Sequence, residues 1–204
     1  VRTLEGWSRR LKPGRAGARG ALPRLWLVSD PVRLPDPRAV AGRLPRGAGV
    51  LARGASAPVL AGLARLCRVR GLVLLVGGDG RAALRHRAGL HLPDRAAPGG
   101  LLPFLRARRG GAPWARLSVA VHGRAGAARG RRLRADLALA SPAFPTASHP
   151  GAPALGPLRW ARLASGLGRP VAALGGVAAG TAGRLPRRGR AGATGLAAIG
   201  GLAG

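Results

Sequence analysis

From residue 25 onward the chain alternates short apolar runs with longer stretches in which apolar residues recur at helical spacing. The runs at 25–29, 49–53, 72–76, 89–92, 117–121, 136–140, 171–174 and 195–199 read as strands. Between them, amphipathic Ala- and Arg-rich stretches predict helices over 37–44, 57–69, 81–87, 101–109, 124–134, 158–165 and 178–188. Regular strand–helix alternation is the signature of successive βα units on a parallel sheet. Each parallel strand needs a crossover that covers the sheet, so eight of them predict a small α/β (β/α)8 TIM barrel over residues 24–204. An open flavodoxin-like sheet is the second solution. The barrel spans about 180 residues against a usual ~250, and its final helix is expected to be short or missing. Residues 1–23 are rich in Gly and Arg with little periodicity and read as a flexible tail. Either the closing helix is absent or this tail substitutes for it.

The 204 residues suffice for one domain with a substantial core rather than two. Composition changes the picture mainly through charge. The net charge of +29 comes almost entirely from arginine, Lys12 being the one lysine, while Asn, Gln, Tyr and Met do not occur. Clustered arginine would indicate a nucleic-acid partner, because neutralising phosphates releases counterions. Here the arginines are spread through nearly every segment and few aromatics are interleaved with them, so a solvated basic surface with no specific nucleic-acid partner is expected. Cys67 lies in an apolar helical pattern with Val59, Leu60, Leu63 and Leu66, which predicts a small buried hydrophobe rather than a nucleophile. No apolar run approaches the ~18 residues of a membrane span and the Arg-rich start lacks a signal-type apolar segment, so a cytoplasmic location and no membrane partner are expected.

The chemistry concentrates in two stretches. SPAFPTASHPGAPALG covers residues 141–156, and RPVAALGGV covers residues 169–177. The first resembles the active-site loop of the thiamine-phosphate synthase/TenI family, in which a strand ends in a Pro-x-Phe-Pro-Thr turn; the second resembles that family's next strand, ending in Gly-Gly. The remaining strands fit the same pattern in order: LWLVSDP at 25–31 resembles the first strand, GVLAR at 49–53 the second, GLHLP at 89–93 the fourth, SVAVH at 118–122 the fifth, and AGATGLAAIGGL at 191–202 the eighth.

The resemblance implies phosphate and diphosphate substrates of thiamine biosynthesis, bound where the strands of a TIM barrel end. The substrate phosphate would sit at Gly175 and Gly176 after the seventh strand and at Gly200 and Gly201 after the eighth, where backbone N–H groups meet an anion with no Cβ in the way. In a chain with 35 glycines such pairs also arise by chance. Arg53 matches the arginine of the family's second strand and would clamp diphosphate, unless it is one more surface arginine. His122 ends the fifth strand where the tautomerase branch of the family carries its proton-transfer residue, or it is an oriented, noncatalytic pocket histidine. Thr146 and Ser148 are candidate hydroxyl donors, and His149 stands where synthases carry a lysine. Synthases also hold magnesium with Asn-Asp after the third strand and a second acid after the fourth. In this chain Gly78 replaces the Asn, Asp79 is the candidate metal residue, and Asp94 is out of register with the second acid. Asp30 and Asp136 are expected to cap or terminate strands. The resemblance thus implies a condensation of aminopyrimidine diphosphate with thiazole phosphate, with Mg2+. The alternatives are a metal-free tautomerase of thiazole phosphate and a noncatalytic protein that binds it.

Overall fold

A computed structural model of the chain describes residues 3–94, 99–146, 151, 153–187, 189, 191–199 and 202. Eight parallel strands close into a barrel in sequence order: β1 (Leu25–Val28), β2 (Gly49–Ala52), β3 (Val73–Gly77), β4 (Gly89–Leu92), β5 (Leu117–Val121), β6 (Leu137–Ala140), β7 (Val171–Ala173) and β8 (Gly195–Ala198), with β8 paired back on β1. Each lies within two residues of its expected position. The intervening helices are α2 (Arg38–Ala41), α3 (Ala57–Arg70), α4 (Gly80–Arg85), α5 (Leu101–Arg109), α6 (Arg124–Arg132), α7 (Gly156–Leu167) and α8 (Ala179–Ala182). Two are shorter than the apolar pattern suggests. Gly42 and Pro45 follow α2, Gly183 and Pro186 follow α8, and both residue types disfavour propagation of a helix.

Alternate strand residues build two separate cores. Leu27, Val50, Leu90, Val119 and Ala138 point outward to the helices, while Trp26, Val28, Leu51, Leu75, Leu137, Leu139, Ala172 and Ala197 fill the barrel interior. Trp26 dominates the interior floor, fully buried, with its indole N–H donating to the Pro23 carbonyl at 2.9 Å. Gly49 is its register partner on β2, and a Cβ there would lie 2.2 Å from the indole ring. Only glycine admits the tryptophan at that level.

The segment expected to be a tail is folded against the barrel. Helix α1 (Leu4–Arg9) is N-capped by the Thr3 hydroxyl, which accepts the Gly6 N–H, and carries Glu5 in its first turn and Arg9 in its last. Leu4 and Leu11 are buried in the outer core, the Trp7 indole donates to Ala179 O at 2.9 Å, and the helix packs on α8, β1 and β8. Ala16 and Leu22 join the interior core beneath Trp26, in a small antiparallel turn bridged at Arg15 and Ala21. No helix follows β8 among the described residues, and α1 covers the gap between α8 and β1. The apolar residues of an otherwise Gly- and Arg-rich stretch thus close both the side and the floor of the barrel.

Cys67 is buried in α3, and burial pushes its thiol up to about 12, which leaves it inert. Asp136 terminates the loop before β6, where it accepts both guanidinium nitrogens of Arg108 and the Leu117 N–H. Among the described residues no helix is long and apolar enough to cross a membrane.

Candidate active site

The carboxyl ends of the strands open on a cavity of about 1050 Å3. Arg33 reaches it from the loop after β1, Arg53 from the end of β2, Gly77 and Gly78 from β3, and His91 and Asp94 from β4 and its loop. His122 follows β5, Ser141 and Thr146 follow β6, Gly175 to Ala178 follow β7, and Ile199 ends the β8 side. Arg53, His122, Thr146, Gly175 and Gly176, all candidates from the sequence, therefore share one cavity. Ser148, His149, Gly200 and Gly201 lie outside the described residues.

Local hydrogen bonds explain how each polar side chain is aimed. The Ser29 hydroxyl accepts the Arg53 N–H at 2.7 Å and lies 3.0 Å from the Arg53 carbonyl, which pins the end of β2 to β1. The stem of Arg53 then crosses over Gly77, where a Cβ would stand 3.3 Å from Arg53 Cγ. Arg33 sits in a turn closed by the Asp30–Leu34 bridge. Asp30 accepts the Val32 and Arg33 N–H groups and pairs with the Arg33 guanidinium at 3.1 Å, contacts that hold its carboxyl down at about 2.

The two histidines have different environments. His91 is buried, with Nδ1 2.9 Å from the Ser118 hydroxyl, and burial first, then the charges of Arg53, Arg129 and His122, push its imidazole down to about 3. It is a neutral polar group in the cavity floor. His122 lies at the exposed rim with Nδ1 2.8 Å from the Ser141 carbonyl. A carbonyl only accepts, so Nδ1 carries the hydrogen and Nε2 of the neutral ring is left to exchange a proton.

Gly175 and Gly176 adopt φ of +85° and +63°. A Cβ on Gly176 would stand 2.3 Å from the Pro145 carbonyl oxygen, and one on Gly175 would stand 2.9 Å from Pro142 Cα. The glycines are therefore required by the packed Phe144-Pro145 turn as well as by any anion. The Thr181 hydroxyl fixes the loop from behind, donating to Gly176 O at 2.8 Å and accepting the Ala178 N–H at 2.9 Å. The N–H groups of Gly175, Gly176 and Val177 make no hydrogen bond to another described residue. Successive N–H groups in a loop of this kind form a concavity suited to an anion.

The carboxylates are arranged differently from the expectation. Asp79 is exposed, lies outside the cavity lining, and spends Oδ1 on the Ala82 N–H as the N-cap of α4. Asp94 is the one carboxylate in the lining, with Arg129 holding the carbonyls of Pro93 and Asp94. Among the described residues no three His, Cys, Asp or Glu side chains gather where they would hold a metal ion. Magnesium completes its near-octahedral oxygen shell with waters and substrate phosphates around one or two carboxylates, and Asp94 is the carboxylate that the described lining offers.

Arg33, His91 and Ser141 were not singled out from the sequence as site residues. A signal for His91 was present: strand alternation sets it on the same face as Gly89, whose Cβ would strike Leu75 of the interior core. Nothing in the pattern marked Arg33, because its position depends on the Asp30 turn.

The family model described as thiamine monophosphate synthase matches residues 54–202. Among solved structures, a thiamine phosphate pyrophosphorylase from Pyrococcus furiosus superposes with a TM-score of 0.65 at 20% identity, covering 95% of this chain and 87% of that one. A 2-keto-3-deoxy-6-phosphogluconate aldolase from Zymomonas mobilis gives 0.57 at 17% identity, with 97% and 86% covered. FabK from Thermotoga maritima gives 0.63 at 14% identity, with 99% and 62% covered. At these identities the structural likenesses speak for the barrel alone. No curated protein matches the chain.

Proposed function

The chain belongs to the thiamine monophosphate synthase family, and from that premise we propose that its barrel mouth condenses an aminopyrimidine diphosphate with thiazole phosphate. One observation carries this reading: a single cavity of about 1050 Å3 has two anion-receptive ends, the N–H cradle of Gly175 to Val177 after β7 and the guanidinium of Arg53 after β2. Ligand pockets run from about 300 to 1,000 Å3, and this one stands at the upper end of that range, with room for substrates carrying separate anionic groups.

In the reaction the bond between the pyrimidine methylene carbon and the diphosphate oxygen breaks, and the diphosphate leaves with the electron pair. The thiazole nitrogen donates its lone pair to the resulting carbocation, forming the new C–N bond. Arg53 and Thr146 line the cavity in which negative charge develops on the departing diphosphate. Fixed donors aimed at developing charge are the largest source of stabilisation in such steps. The cradle holds the thiazole phosphate, and Thr181 keeps the cradle in shape. The test is thiamine phosphate formation by the 204-residue chain with both substrates saturating. Arg53→Gln should lower kcat by about a hundredfold. Absence of product from wild-type protein that still binds thiazole phosphate would leave a noncatalytic binding protein.

The orientation of His122 favours a second reading, tautomerisation of thiazole phosphate by proton transfer at Nε2. His122→Gln should then abolish proton exchange on thiazole phosphate, followed by NMR in D2O, while its affinity stays unchanged. If the exchange rate of the variant equals a nonzero wild-type rate, His122 is not the proton-transfer group.

A further inference from the structure

We infer that His91, oriented by Ser118, is the residue that recognises the aminopyrimidine ring, offering Nε2 to a heteroatom of that ring from an otherwise apolar cavity floor. The inference rests on the condensation reading for the identity of the ring, and on the geometry of β4 and β5 for the residue that meets it.

Strand alternation turns His91 inward. Its neighbours Leu90 and Leu92 belong to the outer core, and its register partners are Gly77 on β3 and Ser118 on β5. Around it the cavity is lined by Leu51, Ala120, Leu139, Leu174 and Ala197, whose side chains carry no polar atom. The imidazole lies among them, 6% exposed. Nδ1 is engaged by the Ser118 hydroxyl at 2.9 Å, and Nε2 makes no hydrogen bond to another described residue. A polar atom covered by apolar surface costs free energy unless something bonds it. A ligand that lies on this floor must therefore bring a partner for Nε2.

The chemistry of the pair fits a heteroaromatic ring. Burial first, then the charges of Arg53, Arg129 and His122, keep the imidazole neutral, so it has one N–H and one bare nitrogen. The Ser118 hydroxyl can donate to Nδ1 or accept from it, and Nε2 is thereby presented as an acceptor or as a donor. An aminopyrimidine carries both counterparts on its edge, ring nitrogens that accept and an amino group that donates, while its flat faces bury against leucine and alanine. Position selects this ring over the thiazole. Gly77, the register partner of His91, lies beneath the stem of Arg53, the group assigned to the diphosphate. The N–H cradle for the thiazole phosphate follows β7, three strands round the barrel from β4.

The experiment is calorimetric titration of the 204-residue chain with the free aminopyrimidine alcohol, which keeps the ring and cannot react because it has no diphosphate to lose. His91→Asn keeps an amide near the position of Nδ1, beside Ser118, and has nothing at the position of Nε2. It should weaken binding of the alcohol by about tenfold or more, as loss of one hydrogen bond implies (tenfold being about 1.4 kcal/mol). His91→Gln carries its amide out to the position of Nε2 and should recover most of that loss, and in both variants the affinity for thiazole phosphate should stay within about threefold of the wild type. A ring that only fills the core predicts the opposite order, because the asparagine preserves the Ser118 contact. His91→Asn that binds the alcohol like the wild type, His91→Gln that binds it no better than His91→Asn, or an equal loss of alcohol and thiazole phosphate would overturn the inference. Should either variant prove unfolded by circular dichroism, nitrogen-15 NMR of the wild-type histidines carries the test. On adding the alcohol, the Nε2 resonance of His91, the ring that stays neutral at about pH 5, should shift, and an unmoved resonance would overturn the inference. Its failure is separable from that of the condensation reading: thiamine phosphate formed by His91→Asn at the wild-type KM for the aminopyrimidine diphosphate sinks the role of His91 alone. A chain that binds the alcohol through His91 yet forms no product sinks the condensation alone.

Discussion

Lowering the pH should destabilise the barrel through His91. Its imidazole is buried in the interior against Ser118 and surrounded by Arg53, Arg129 and His122, with its pKa pushed down from 6.5 to about 3. The sign follows from linkage: above pH 6.5 the ring is neutral in both folded and unfolded chains and the folded state suffers no penalty. As the pH falls below that value the unfolded chain takes up a proton that the folded chain refuses, so stability is lost through the window from 6.5 down to about 3. Each unit in that window costs about 1.4 kcal/mol, so about 3 kcal/mol should be lost between pH 6.5 and 4.5, a large share of a stability of typically 5–15 kcal/mol. Asp30 and Asp36, held below 3.8 by Arg33 and Arg38, add their losses only at lower pH. Urea denaturation across pH 4.5–7.5 measures the slope, and His91→Asn, which keeps a polar group beside Ser118, should flatten it. A wild-type stability that is level over this range, or a His91→Asn profile with the same slope, would refute the assignment of a buried neutral imidazole.

Gly176→Val should both destabilise the fold and abolish binding of thiazole phosphate, because the new Cβ lands 2.3 Å from the Pro145 carbonyl at a φ of +63°; a cost of about 1–3 kcal/mol is expected from overpacking, and a folded variant with unchanged affinity by calorimetry would remove the cradle from the site. Leu4→Ala should cost about 2–5 kcal/mol as a core truncation, although it lies in the segment that reads as a tail; a urea midpoint equal to that of the wild type would mean that α1 contributes nothing to closing the barrel.

What could be read from the chain depended on the range of the forces involved. The eight strands were legible because each is a short apolar run bounded by Gly, Pro or charge, and such boundaries are local. Helix α1 was not, although Leu4, Trp7 and Leu11 recur at i, i+3 and i+7 behind a Thr3 cap. Their apolar face acquires meaning only against α8 and β8, which lie far along the sequence. The site divides in the same way. Arg53, His122 and the Gly175–Gly176 pair end strands, and a strand end in this fold faces the cavity. Arg33 and the reorientation of Asp79 depend on turn geometry: one aspartate closes the loop after β1 on an arginine, while the other spends its carboxylate on a helix terminus.

The Ala- and Gly-rich composition also shapes the cavity. A barrel interior has a fixed cross-section that large branched residues ordinarily fill in layers. Here β7 and β8 contribute Ala172 and Ala197 to the interior, β3 ends in Gly77 and β5 presents Ala120 to the mouth, so the layers above the floor are thin. One tryptophan compensates at the bottom, where Gly49 leaves the room that its ring occupies and Ala16 and Leu22 seal it from below. Among the described residues no comparable side chain fills the top, where the cavity of about 1050 Å3 lies. The small residues therefore move the packed volume toward the floor and leave the arginines, His122 and the glycine loop around the opening. A pocket of this size follows from which strand positions are large and which are small.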